Sequence, residues 1–118
     1  MSMRFATPER LPREVALAQL ESADSVARMD ALLSLALYDP DWELAQDRCL
    51  ALLGDHDRNV VATAILGLAH VARLHRRLDL ERVLPELERL RSEPALLGRV
   101  EDAIDDIAVF IGLPDEAE

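Results

Sequence analysis

The amino-acid sequence predicts an all-α fold, a short right-handed α-solenoid of about three antiparallel helix pairs. Half of the 118 residues are apolar but only 3% are aromatic. This composition favours helices, because strands rely more on aromatic and β-branched residues. Apolar residues also recur at helical spacing in six segments. Finally, one hexapeptide pattern occurs three times at intervals of 33 and 39 residues, a period typical of stacked helical hairpins.

The repeated hexapeptide is expected in the second, fourth and sixth helices. Its copies are Ala31–Ala36, Ala64–Ala69 and Ala103–Ala108, reading ALLSLA, AILGLA and AIDDIA. The fourth helix is apolar on more than one side, so we expect it to be the centre of the core. Gly67 costs about 1 kcal/mol relative to Ala inside a helix. We therefore expect a neighbouring backbone to approach it closely, and Ser34 is small enough for the same role.

Helix start and stop signals divide the chain into six elements. Asp57 is expected to cap the fourth helix, and Asp24 precedes the first hexapeptide by the same interval as Asp57 precedes the second. Asp39 is an N-cap candidate for the third helix, and Gly54 is expected to close the third in the left-handed conformation. Pro85 should either kink the fifth helix or make 80–84 a separate turn, and Gly112 and Pro114 end the sixth. The predicted helices cover about 12–20, 25–38, 40 or 41–53, 58–74, 80–91 and 95–111.

The helices form one predicted domain over 12–112. Residues 1–11 are expected to be a tail or irregular lead-in, and 113–118 an acidic tail. The chain has no apolar run of about 18 residues that could cross a bilayer, and its N-terminus has no apolar signal core. We therefore expect a cytoplasmic protein. Cys49 is the only cysteine, and its apolar neighbours predict a buried, inert thiol.

Charge excludes some partners and favours others. The net charge is −10, which opposes binding to nucleic-acid phosphates and suits a basic protein partner. The Arg cluster (Arg73, Arg76, Arg77 and Arg82) is interleaved with acidic residues, so local ion pairing is favoured over a nucleic-acid site. The oligomeric state is not predicted.

No pattern indicates catalysis, a cofactor or a metal site. His56 lies between two aspartates in a short turn, where three adjacent side chains cannot all point at one ion. His70 and His75 are not at the four-residue spacing of a helical ligand pair, and we interpret them as surface or edge histidines. The sequence contains no phosphate-binding glycine loop, nucleophile elbow or Cys/His pair.

The third hexapeptide copy differs because it contains two aspartates. One interpretation is a polar cap: no further hairpin follows, so this side can face water. The other is a protein-binding surface formed by Glu101, Asp102, Asp105 and Asp106, whose like charges at four-residue spacing destabilise the helix locally. From residue 101 to the end the chain has seven acidic residues and no basic one. Trp42, Asp39 and Asp41 form a second candidate patch, in which Trp42 either covers the hairpin end or anchors a partner.

The segment from Asp41 to Leu53, followed by Asp57–Ala64 and the Leu66-Gly67-Leu68-Ala69 run, resembles HEAT repeats. This resemblance implies a scaffold that binds macromolecules through an extended helical surface. The chain is also similar to small bacterial HEAT-like immunity proteins of secreted toxin systems. This similarity implies a non-enzymatic protein that neutralises a cognate toxin domain. The alternative is a HEAT-like scaffold or adaptor that binds nucleic acid or regulates an enzyme.

Overall fold

The computed structural model describes residues 9–114, and this part of the chain contains six α-helices and no strand. The helices are α1 (Arg13–Gln19), α2 (Ser25–Tyr38), α3 (Trp42–Leu52), α4 (Arg58–His75), α5 (Leu80–Leu90) and α6 (Pro94–Phe110). The predicted all-α class is confirmed. Residues 1–8 and 115–118, which belong to the predicted lead-in and acidic tail, lie outside the described residues.

Helix α4 is the centre of the packing, as predicted. Helices α2, α4 and α6 pack side by side with α4 in the middle, while α1 packs on α2, α3 on α4 and α5 on α6. More than half of the α4 residues are buried: Val60, Val61, Thr63, Ala64, Ile65, Gly67, Leu68, Ala69, Val71 and Ala72. Because α4 is covered by α2, α3 and α6, its apolar stripe has to be this wide.

The hexapeptide copies in α2 and α4 have the same burial pattern. In each, five positions are buried and the third, Leu33 or Leu66, is only half-buried. The copy in α6 keeps its first and fifth residues buried, but Asp105 and Ala108 are exposed. Helical spacing from Val100, Ala103 and Ile104 predicts Ala108 on the apolar face of this helix, and this prediction is wrong. It is exposed because α6 is covered on fewer sides than α4.

The close approach predicted at Gly67 is confirmed, but its partner is a side chain and not a backbone. A Cβ atom added to Gly67 would lie 2.6 Å from the Cys49 sulfur and 3.6 Å from the Ala36 Cβ. Cys49 is fully buried, as predicted, and burial raises the pKa of its thiol to about 12. Ser34 has a different role, since its hydroxyl accepts a hydrogen bond of 2.8 Å from the Leu11 amide.

Three consecutive helices begin with the same kind of turn. Asp24, Asp41 and Asp57 cap α2, α3 and α4 by accepting hydrogen bonds from backbone amides in the first turn. Two residues earlier, a side-chain oxygen of Ser22, Asp39 or Asp55 accepts a hydrogen bond from the amide of the capping residue itself. The predicted N-cap at Asp39 was therefore wrong by two residues: Asp41 caps α3, and Asp39 shapes the turn before it.

Two other helix signals act differently from the prediction. Gly54 does not have a positive φ; instead, Arg76 ends α4 in the left-handed conformation with φ 56°. Gly112 ends α6 as predicted, with φ 100°. Helix α5 continues through Pro85, so the alternative of a separate turn was wrong. Pro85 removes one backbone hydrogen bond, while the burial of Val83, Leu87 and Leu90 holds both halves of the helix on the core.

Candidate functional site

The four acidic residues predicted on the last helix do not form one uniform surface. Glu101, Asp102 and Asp105 are exposed, whereas Asp106 is half-buried. The Asp106 carboxylate lies 3.3 Å from the Arg73 guanidinium of α4, and Glu101 lies 3.7 Å from Arg91. Within residues 9–114, Asp102 and Asp105 form no ion pair. Asp106 therefore joins α6 to α4, while the other three carboxylates remain open to solvent.

A groove of about 380 Å³ separates α4 from α6 beside these carboxylates. Its apolar lining consists of Leu66, Ala69 and Ala103, and its polar lining of Arg73, Arg99, Asp102, Asp105 and Asp106. Two arginines and three aspartates give this groove a mixed charge. It is therefore less acidic than the solvent-facing side of α6.

His70 is part of the contact between α4 and α6. Its ring Nδ1 lies 2.7 Å from Nη2 of Arg73, and Nη1 of the same guanidinium contacts Asp106. Burial and the nearby Arg73 charge lower the pKa of His70. The neutral ring can accept a hydrogen bond from Arg73 through Nδ1. His70 is thus half-buried at a helix contact, which agrees with the predicted edge position.

The second predicted patch is largely occupied by contacts within the fold. Asp39 is buried, and its two carboxylate oxygens accept hydrogen bonds from the Arg13 guanidinium at 2.9 and 2.7 Å. These hydrogen bonds from Arg13 lower the pKa of Asp39 despite its burial. Trp42 is half-buried, and the Arg77 guanidinium lies over its ring at 5.1 Å from the centroid. Asp41 is exposed, but its side chain caps α3.

The Arg cluster is also held by contacts within the fold. Arg73 pairs with Asp106, and Arg82 pairs with Asp47 at 2.9 Å. Arg76 lies over the Phe110 ring at 5.6 Å, and Arg77 over Trp42. The predicted ion pairing is present, but the principal partners are distant in sequence. Of the acidic residues interleaved with the Arg cluster in the sequence, which were expected to form its ion pairs, only Asp79 contacts a member of the cluster, at 3.9 Å from Arg82.

Two features were missed from the sequence. Arg28 and Asp55 form a buried ion pair at 3.1 Å, with 7% and 8% of their side chains exposed. The repeated Asp-x-Asp turn could have indicated an aspartate with a structural partner. Val109 is 73% exposed, more than any other large apolar side chain in residues 9–114. Its position outside the α6 stripe of Val100, Ala103 and Ile107 was the available signal.

No helix within residues 9–114 has both the length and the apolar character needed to cross a membrane. No protein-family profile matches the chain, and no curated protein matches it. The resemblance to HEAT repeats therefore stays a prediction.

A search of solved structures gives a match along nearly the whole chain. The matching chain is part of the crystal structure of a CDI complex from Cupriavidus taiwanensis. The two chains are 31% identical and superpose with a TM-score of 0.82, and the alignment covers 92% of this chain and 98% of the other. Agreement in both fold and sequence over this length indicates common descent. This protein belongs to the same family as that chain of the Cupriavidus taiwanensis CDI complex.

Proposed function

We propose that this protein is an immunity protein of a contact-dependent inhibition (CDI) system, which binds a toxin domain in the cytoplasm and neutralises it without catalysis. One observation carries the proposal: the match to a chain of a CDI complex, at 31% identity over 98% of that chain. Its inhibitory act is binding, so its surface has to hold the toxin domain tightly. A HEAT-like stack of the three helix pairs would provide an extended surface for that purpose.

The partner contact is proposed to centre on Glu101, Asp102 and Asp105. These side chains are exposed on one helix, and no basic residue follows Arg99 in the sequence. A partner with a basic surface would be attracted over several ångströms before contact, since the screening length is about 8 Å at physiological salt. Such complementarity mainly raises the association rate and excludes wrongly charged partners. Asp41 and the exposed part of Trp42 provide a smaller second contact.

Co-expression tests the function directly. The cognate toxin domain should arrest growth of a bacterial host, and co-expression of the wild-type chain should restore growth. The purified proteins should also co-elute as one complex in size-exclusion chromatography. Growth arrest that persists with folded, soluble wild-type chain, together with separate elution of the two proteins, would refute the proposed function.

Charge reversal tests the acidic contact. The double variant Asp102→Arg/Asp105→Arg should lower the association rate constant by about tenfold or more at 50 mM salt, and less at 300 mM. Glu14→Arg/Asp30→Arg is the matched control, because both residues are exposed on other helices and net charge changes equally. Stopped-flow fluorescence provides the rates. Equal rates for the two double variants would show that the acidic contact lies elsewhere, even if wild-type binding is tight.

A further inference from the structure

We infer that the partner packs against the outer side of α6, in the place that a fourth helix pair would occupy. This inference rests on the proposed function and specifies which residues meet the toxin domain. We call this surface the end face and define it by Glu101, Asp105, Ala108 and Val109. All four residues are exposed, and Asp105, at the edge of this face, also borders the groove towards α4. They occupy positions i, i+4, i+7 and i+8 along about two turns of α6, which is the spacing of a single helix face.

The register of the hexapeptides locates this face. Residues 39 positions earlier lie on α4, and there Leu66 and Ala69 line the groove towards α6. His70 also lies towards α6, since the Arg73 guanidinium that contacts its ring also contacts Asp106 of α6. The residues at the corresponding positions of α6 are Asp105, Ala108 and Val109. On α4, this side is covered by α6. On α6, the last helix of the described chain, the corresponding side is not covered by another helix.

Two observations distinguish the end face from a simple solubilising cap. Val109 has 73% of its surface exposed, on a face that a cap would make polar throughout. Asp105, one turn away, has no ion pair within residues 9–114. Ala108 and Val109 give the face an apolar end beside the carboxylates of Glu101 and Asp105, and protein-binding surfaces combine apolar and charged contacts in this way. Glu101 contributes a second carboxylate, which is 56% exposed and only loosely held by Arg91 at 3.7 Å.

The charge of the face determines what can occupy it. A second copy of this chain, packed about a two-fold axis, would place this acidic face against the same acidic face of the other copy. That contact brings like charges together and is disfavoured. The fitting occupant is a protein surface with an apolar contact for Val109 and Ala108, flanked by Lys or Arg side chains for the two carboxylates. We therefore assign the end face to the toxin domain.

The test compares substitutions on the end face with matched substitutions elsewhere. Val109→Arg and Asp105→Arg should each raise the Kd for the toxin domain by about tenfold or more, since each removes a contact of the end face and adds repulsion. Val26→Arg and Asp30→Arg on α2 are the controls: Val26 is 58% exposed, Asp30 is exposed, and each control changes net charge as its counterpart does. The controls should change the Kd less than about threefold. Calorimetry gives the Kd, and circular dichroism melting verifies that every variant is folded.

The possible outcomes are distinct. If wild-type chain binds the toxin domain and folded Val109→Arg and Asp105→Arg bind as tightly as their controls, the end face is not the contact, and the proposed function stands. If wild-type chain does not bind the toxin domain, the proposed function fails and this inference fails with it. If sedimentation velocity shows a dimer of the wild-type chain that Val109→Arg dissociates, the occupant is a second copy and the inference is overturned.

Discussion

The contact between Gly67 and Cys49 predicts that one alanine substitution will have opposite effects in two backgrounds. In Gly67→Ala the new Cβ would lie 2.6 Å from the Cys49 sulfur, and the sulfur is buried with little room to move. Overpacking of this kind costs about 1–3 kcal/mol. The better helix propensity of Ala returns about 1 kcal/mol. We therefore expect Gly67→Ala to lower the free energy of unfolding by about 1 kcal/mol, equivalent to about 4 °C in Tm.

In the Cys49→Ala background the same substitution should be favourable. With the sulfur removed, the Ala36 Cβ at 3.6 Å is the remaining neighbour within 4 Å, at an ordinary contact distance. Gly67→Ala then keeps its propensity gain and fills part of the space left by the sulfur. It should raise the free energy of unfolding by about 1 kcal/mol. The two effects differ by about 2 kcal/mol, which is the coupling energy of a double-mutant cycle.

Urea unfolding followed by circular dichroism measures all four proteins of the cycle. Gly98→Ala in α6 is the control: nothing lies within 4 Å of its added Cβ, so the substitution should stabilise the protein by about 0.5–1 kcal/mol. If Gly67→Ala has the same sign and size in both backgrounds, the Cys49 sulfur is not what requires a glycine at this position.

Three further predictions concern the buried polar groups. Asp55→Ala should lower the free energy of unfolding by about 3–5 kcal/mol, measured by urea unfolding, because it leaves the buried Arg28 guanidinium without its partner. Burial raises the pKa of Asp55, but hydrogen bonds from the Asp57 amide and Arg28 have the larger opposite effect, so the pKa is lowered overall. The hydrogen bonds from Arg13 likewise lower the pKa of Asp39. Both carboxylates should therefore stabilise the fold at pH values above their usual pKa of about 3.8. Thermal melts at a series of acidic pH values should show that this stabilisation is lost as the pH falls below 3.8. The Cys49 thiol, buried and with its pKa raised to about 12, should react with a disulfide reagent only as fast as the protein opens.

Each of these predictions has an internal check. Asp47→Ala, at the exposed ion pair with Arg82, should cost about 1 kcal/mol or less; an equal cost at Asp55 would show that the buried pair is not special. The acid-induced loss of stability should be smaller in Asp55→Asn, and an unchanged pH profile would exclude this carboxylate as its source. Rapid thiol labelling that does not accelerate in urea would contradict the burial of Cys49.

The arrangement at the acidic helix could be predicted only in part. The like-charge spacing of Glu101, Asp102, Asp105 and Asp106 identified α6 as unusual, and three of these carboxylates are exposed. Nothing in their local sequence distinguishes Asp106, because its partner Arg73 is 33 residues away on another helix. The same holds for Asp39, which looked like an N-cap but is held by Arg13, 26 residues away.

The helices could be predicted from local sequence, since periodicity and capping are local properties. Asp57 starts α4 as predicted, and the small residue at Gly67 correctly indicated a close neighbour. Local sequence does not show which polar groups form contacts inside the fold and which remain exposed to solvent. That outcome depends on how α4 and α6 pack: the packing brings Arg73 to Asp106 and leaves Asp105 and Val109 uncovered. Contacts between helices depend on how the helices are placed in space, and the spacing of residues along one helix does not reveal that placement.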